Sequence, residues 1–581
     1  MYSYLKYKEG CFLFDISVIY DAGVVGLRMI MPLLAIVIVY QCYAAMRRRR
    51  RPEKPLVSLY NPKSGGMIPV VFWENSIGRS KSSDIVINDL SVSRNHCVLL
   101  RRKAGWFVSD VGSLSGTFVN GVRIHGRAQV LVDDIIAIGN TEYQLRRGDD
   151  FNSPLRASRF FSKVSDKPAI QAWKLMFMIT MFHLFMAVEA MFWNDGTNVY
   201  APMFLFAALA AVEWGFFSVS YFALRRVNFE LEALGLFLTG IGVMMLVRQV
   251  ERSAYVQLIA AAIGIVLYCV IIKFIEDPDR SDKIRFPVMI FAVLLLASSI
   301  VLGRVTNGAA NWVYIGSISF QPSEFVKTIF IFIGASALDK LQTKRNLIEF
   351  IIFSVVCVGL LALMSDFGTA LIFFVTFLLV VFMRSGDIKT VLLPVGSVVA
   401  SFLLLRFVAE RINFIGDRFN YVLNRFKAYR HVWDYANEAA GYQQVRVMTY
   451  IASGGLFGVG IGNGYFKQYF ASDSDLVFAL VAEEMGVIVA IVAALAVALL
   501  MIYARAITTR SRSTFYSISA CCAAGLLVVQ LSLNIFGATD ILPLTGVTFP
   551  FISSGGSSLI SCWGLLAFIK AADERTYSLK R

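Results

Sequence analysis

A chain of 581 residues with 57% hydrophobic and 16% charged residues is too apolar for a soluble globular protein, in which roughly 45–50% and about 25% are usual. Its mean hydropathy of +0.63 agrees, so most of its length belongs in a membrane. The net charge of +15 would suit nucleic acid, but in a chain that crosses a bilayer repeatedly such residues mark cytoplasmic loops, and no nucleic-acid partner is expected.

In chain order, residues 1–21 are mixed and are expected outside. Residues 22–46 read as a transmembrane anchor, about the 20 apolar residues a span needs. The arginine run Arg47–Arg51 follows it, which places that end in the cytoplasm and argues against a cleaved signal peptide. The eight cysteines are scattered without disulfide or metal spacing, and no metal ligands are assigned.

Residues 55–147 change character. Short alternating apolar runs (Ser83–Ile87, Cys97–Leu100, Trp106–Ser109, Ile135–Ile138) are separated by Gly, Asn, Asp and Ser, the pattern of a small all-β sandwich. Its turns carry Gly78-Arg79-Ser80, Ser91 to His96 and Ser113 to Thr117. Arg and Ser in neighbouring turns suit phosphate binding, although Gly, Asn and Ser are also ordinary turn residues. The strings GRSKSSDIVI, SVSRNH, SLSGTFVNG and DDIIAIG resemble a forkhead-associated (FHA) domain in order and spacing. The resemblance implies phosphothreonine binding, with Arg79 and Ser93 on the phosphate, Arg94, Ser115, Thr117 and Asn120 around the peptide, and His96 as a structural brace. Ser115 stands where the family usually has Asn.

A basic linker, 148–168, precedes two further spans at 172–223. Twelve apolar segments follow the anchor, giving thirteen in all: 172–193, 199–223, 231–247, 254–274, 286–303, 322–338, 348–365, 367–383, 390–408, 476–503, 514–536 and 549–571. Lys and Arg collect in the loops this count places inside: Arg225-Arg226, Lys273–Arg285, Asp339–Arg345, Arg384–Lys389, Arg505–Arg512 and the tail 572–581.

Polar stretches then meet on the outer side. Glu324 and Lys327, three apart at the start of a span, share a helix face. Each costs about 2.5–3.5 kcal/mol to insert, so they face a cavity or form a self-neutralising pair. Asp366 lies between two spans. A long loop carries Gly441-Tyr442-Gln443-Gln444 and the glycine-rich 453–464, and ends at Asp475 where an apolar run begins. Asp475 is either a helix cap or a carboxylate at the membrane rim. Asp366-Phe367-Gly368 lacks the surroundings of a kinase, and Gly458–Gly464 lacks the βαβ unit of a dinucleotide site.

NGAANW, FQPSEFVK, SDFGTA, GYQQ, GGLFGVGIGNGYFK, SDLVFALVAEEMG and LPLTGVTFPFISSGGSS resemble, in order over 229–571, the SEDS family of RodA/FtsW-type peptidoglycan glycosyltransferases. This implies a polytopic all-α membrane enzyme, a ten-helix core plus about three extra N-terminal spans, with the cytoplasmic FHA sandwich inserted. It implies polymerisation of lipid II into a glycan strand, with release of undecaprenyl diphosphate. It makes Asp475 catalytic and places Gln321, Glu324, Lys327, Asp366 and Gln443 along its cavity. The family's arginine pair before the Trp is replaced by Ala310-Asn311, so Arg446 and Lys467, or a divalent cation (Mg or Mn), are expected to hold the diphosphate. The resemblance also implies a class B penicillin-binding transpeptidase partner, and the FHA domain implies a phosphothreonine protein or a Ser/Thr kinase. A lipid II flippase and an inactive signalling scaffold are the alternatives. The sequence does not choose among elongation, division and sporulation.

Overall fold

The computed structural model describes residues 16–49, 57–147, 163–164, 170–192, 199–223, 228–397, 429–508 and 513–573, apart from 71–72, 81–82, 103, 307–308, 316–317, 339–343, 386, 393 and 439–440. Its helices are α1 (Ile16–Met46), α2 (Ala172–Phe192), α3 (Ala201–Ser218), α4 (Glu230–Leu246), α5 (Glu251–Phe274), α6 (Pro278–Leu302), α7 (Pro322–Ala337), α8 (Lys344–Leu363), α9 (Phe367–Ser385), α10 (Tyr442–Gly454), α11 (Val477–Met485), α12 (Val487–Thr508), α13 (Thr514–Ala538) and α14 (Gly556–Ala572).

Among the described residues, nine helices are at least 18 residues long and apolar enough to cross a membrane. The expected spans at 231–247, 322–338 and 549–571 appear as the shorter helices α4, α7 and α14. The span at 390–408 lies largely outside the described residues, as do 1–15, most of the linker and the tail beyond 573.

The apolar run 476–503 is not one helix. It breaks at Gly486, between α11 and α12. Gly486 has φ +91°, and a Cβ there would collide with Leu456 O. Only glycine takes this conformation without cost. The nine residues of α11 are all buried, so Asp475 precedes a short internal helix and not the membrane span itself.

The inserted domain is a two-sheet sandwich. One sheet has the order Arg127–Val130, Gly105–Asp110, Cys97–Arg102, Glu74–Gly78, Ile85–Val86. The other runs Met67–Val70, Val57–Tyr60, Thr141–Arg147, Ile135–Ile138, Thr117–Val119, Val122–Arg123. Leu59, Leu99, Val108, Ile136, Ile138 and Leu145 fill the space between them. Arg48–Arg49, leaving α1, pairs in parallel with Lys163–Val164, on the way to α2.

Side-chain bonds sort the loops onto two ends of the helix bundle. Tyr516 donates to Ile275 O, Tyr503 to Asp573, and Lys570 to Asn228 O. Thr514 N–H donates to Glu74 of the sandwich, so the sandwich shares that end. Gln321, Asp366 and the 540–555 loop meet at the other end. The basic-loop count gives the same partition. Gly303–Thr306, Ala309–Ile315 and Ile318–Phe320 form a three-stranded antiparallel meander, the first strand starting at the last residue of the expected span 286–303.

Gly486→Ala should lower the thermal unfolding midpoint, since the extended positive-φ backbone at Gly486 costs an L-residue about 1–3 kcal/mol before any collision. Gly23→Ala, with nothing within 4 Å of the added Cβ, should leave the midpoint unchanged in the same melt.

Candidate active site

The irregular loop 540–555 is the centre of the site. Three helix amides hold its carbonyls. Gln257 donates to Ser553 O at 2.9 Å, Gln530 to Thr548 O at 3.1 Å, and Asn534 to Val547 O at 2.7 Å. Non-helical backbone at this depth survives only if such groups are satisfied.

Asp475 is fastened to the same loop. Asn534 Nδ2 also donates to Asp475 O at 2.7 Å. Ser553 Oγ donates to Ser474 O at 2.5 Å, and Ser554 N–H to Asp473 O at 2.8 Å. Gly546 faces the carboxylate: a Cβ placed on it would lie 3.4 Å from Asp475 Oδ2. Asp475 lies one residue before Leu476, the N-cap of α11, which makes no side-chain cap bond itself. Asp475 is half-buried, with its backbone fixed from both sides.

Asp366 lies at the start of α9, which packs on the same loop. Its Oδ2 accepts from Asn311 at 3.0 Å and Gln321 at 3.1 Å, and its Oδ1 from Thr369 N–H at 3.1 Å. A Cβ on Gly368 would lie 2.6 Å from Thr545 O, so α9 starts directly against the loop. The Asn311 that replaces an expected arginine thus serves Asp366.

Glu324 and Lys327 form a buried ion pair at 2.7 Å, 4% and 1% exposed. Lys327 also donates to Gln530 at 3.1 Å, and Gln530 continues to Thr548 and Ser558. The pair therefore braces the loop from below.

Arg446 and Lys467 form a second cluster. Arg446 lies 5.2 Å over Tyr442 and 5.9 Å over Tyr469, and its buried Nε has no hydrogen-bond partner among the described residues. Lys467 donates to Gly462 O at 2.7 Å, and Ser472, near Asp475, donates to Lys467 O. Gln443 is half-buried, whereas Gln444 is buried and donates to Gly537 O at 3.1 Å. The glycine-rich loop is held by α11. Glu483 accepts from the N–H groups of Tyr465 and Phe466, and Glu484 from that of Gly462. Gly458 and Gly464 leave no room for side chains against these two residues. That contact, not a nucleotide, explains the glycines.

In the sandwich, Arg79 and Arg94 are exposed beside half-buried Ser93. Ser93 Oγ accepts from Leu114 N–H at 3.0 Å. Ser115 donates to Ser91 O, while Thr117 and Asn120 bond Asp110 and Asp134 within the fold. His96 Nδ1 accepts from Ser93 N–H at 3.1 Å, so its Nε2 carries the proton toward Gly116 O at 3.2 Å. Burial pushes its pKa below the usual value.

The sequence model of the FtsW/RodA/SpoVE family, described as Cell cycle protein, matches residues 221–578. The chain belongs to this family. The FHA domain model matches residues 75–139, so the inserted sandwich is an FHA domain. Among relatives, a probable peptidoglycan glycosyltransferase FtsW of Bacillus subtilis is 30% identical over 322 residues, 54% of this chain and 79% of its own. Peptidoglycan glycosyltransferase RodA of Mycobacterium leprae is 26% identical over 397 residues, 62% of this chain and 82% of its own. Among solved structures, a chain of a peptidoglycan synthase complex that coordinates polymerization and crosslinking is 26% identical, overlapping 60% of this chain and 98% of its own, with a TM-score of 0.49. An FHA structure from work on phosphothreonine-dependent interactions is 27% identical, overlapping 17% of this chain and 98% of its own, with a TM-score of 0.15. The FHA sandwich and α1–α3 lie almost entirely outside the family match.

Asn534, Gln530 and Gln257 escaped sequence reasoning. The available signal was a polar amide inside an apolar run, which is costly unless it has work there.

Lys327→Ala alone should destabilise the protein by about 3–5 kcal/mol, because Glu324 is left buried and unpaired. Combining Lys327→Met with Glu324→Gln should recover much of that loss in a denaturant melt. His96 has a folded pKa below its unfolded value, so protonation favours unfolding. FHA stability should therefore fall as pH drops below about 6.5. His96→Gln should flatten that part of the pH dependence in calorimetry.

Proposed function

We propose that this multi-pass membrane protein is a peptidoglycan glycosyltransferase that polymerises lipid II, with Asp475 as general base. The supporting observation is the position of Asp475, held between the 540–555 loop and α11 by Asn534. The FHA end is cytoplasmic by its arginine run, which puts Asp475 at the outer face of the plasma membrane, where a lipid-linked sugar is presented.

Asp475 takes the proton of the acceptor GlcNAc 4-hydroxyl as that oxygen attacks the donor's anomeric carbon. The bond from that carbon to the diphosphate breaks, and undecaprenyl diphosphate leaves with the electron pair. Arg446, whose buried Nε has no hydrogen-bond partner among the described residues, and Lys467 are the protein cations assigned to the leaving charge. Asp366, Gln321 and Asn311, joined by hydrogen bonds near the same loop, hold the acceptor sugar. Glu324 and Lys327 position the loop. Among the described residues, no group of three or more His, Cys, Asp or Glu is placed to hold a metal. A class B penicillin-binding transpeptidase crosslinks the product strand. The FHA domain binds phosphothreonine through Arg79 and Ser93, and its ligand is a phosphoprotein or the Ser/Thr kinase itself.

Purified protein with its transpeptidase and labelled lipid II should make glycan polymer, and Asp475→Ala should make none detectable. Polymer from that variant at the wild-type rate would remove Asp475 from the chemistry. Asn534→Ala should lower kcat roughly 10-fold or more with little change in KM, each lost hydrogen bond being worth about 0.5–1.5 kcal/mol. A rise in KM alone would assign Asn534 to substrate binding.

A further inference from the structure

The FHA domain touches the helix that fixes Asp475. Glu74, 3% exposed, pairs with Arg102 at 2.9 Å through one oxygen. Its other oxygen accepts from Thr514 N–H at 2.9 Å, at the first residue of α13. A carboxylate from the FHA sheet thus satisfies an N–H at the start of a helix 440 positions away. Asn534 lies toward the other end of the same helix, about 30 Å along its axis.

The FHA strand Glu74–Gly78 has two functional ends. Glu74 is at the docked end, opposite Leu100. Gly78 is at the other, packed on the backbone of Ser93 and Arg94, beside exposed Arg79. The strand separates them by about 13 Å. His96 and Gly116 belong to that far end too. Docking and phosphate contact therefore use opposite ends of the sandwich. The segments joining the domain to α1 and α2, residues 50–56 and 148–169, contain no threonine. The domain's own tethers thus offer no phosphothreonine.

We propose that the FHA domain is a fixed receptor: it stays docked on α13 and presents its open pocket to a phosphothreonine segment that lies outside its own tethers. This rests on the phosphothreonine-binding reading above. It differs from a lock that must be released before ligand can bind.

The test uses the full chain in nanodiscs with phosphothreonine peptides from a degenerate library and their unphosphorylated counterparts. A disulfide joining Glu74→Cys to Thr514→Cys locks the domain in place. Locked and reduced forms should bind the phosphopeptide within twofold of each other. A loss of 10-fold or more on locking would overturn the proposal. In the unmodified protein, the Thr514 amide should keep its protection from hydrogen exchange when phosphopeptide is added, and deprotection would also overturn it. If neither the unmodified nor the reduced protein prefers phosphopeptide, the phosphothreonine reading fails and the receptor proposal falls with it.

Discussion

The site depends on one constraint: irregular backbone at the end of a membrane bundle must have its polar groups satisfied from within. Gln257, Gln530 and Asn534 do this for the 540–555 loop, and Glu483 and Glu484 do it for the glycine-rich loop. Asp475 lies where the two loop systems meet. Its carbonyl shares the Asn534 nitrogen with Val547 O. A carboxylate whose backbone is fixed in this way needs little rearrangement when charge develops.

The same constraint explains the broken run 476–503. A continuous helix would put Asp475 on the rim of a straight span. The break at Gly486 instead makes α11 a separate buried element, to which the glycine-rich loop can dock. Val459 N–H donates to Glu483 O, and Gly460 N–H to Glu484 O, both at 2.9 Å. The extra N-terminal helices reach this loop too. Arg28 of α1 pairs with Glu189 of α2 at 2.8 Å and packs against Gly460. The part of the chain outside the family match thus contacts the glycine-rich loop at one end and, through Glu74, α13 at the other.

Much of this was legible in the sequence. Alternating short strands gave the sandwich, the run of arginines gave the parity, and motif order gave the core. The residues that position Asp475 were not legible. Asn534 and Gln530 sit in an ordinary apolar helix, and their partners are backbone carbonyls, which carry no residue-type signal. The Gly486 break was hidden because apolar residues continue on both sides of Glu483-Glu484 and Gly486, and hydropathy cannot see a change of backbone direction. Asn311 was visible only as a missing arginine, and its bond to Asp366 required the fold.

The most direct measurement is a structure of the chain with lipid II and a short glycan acceptor bound in the Asp475→Asn form. The acceptor 4-hydroxyl should lie about 2.6–3.2 Å from the residue-475 side chain, with the Asn534 bridge to Val547 intact. An acceptor hydroxyl bonded instead to Glu324 or Asp366, with residue 475 facing away, would contradict it.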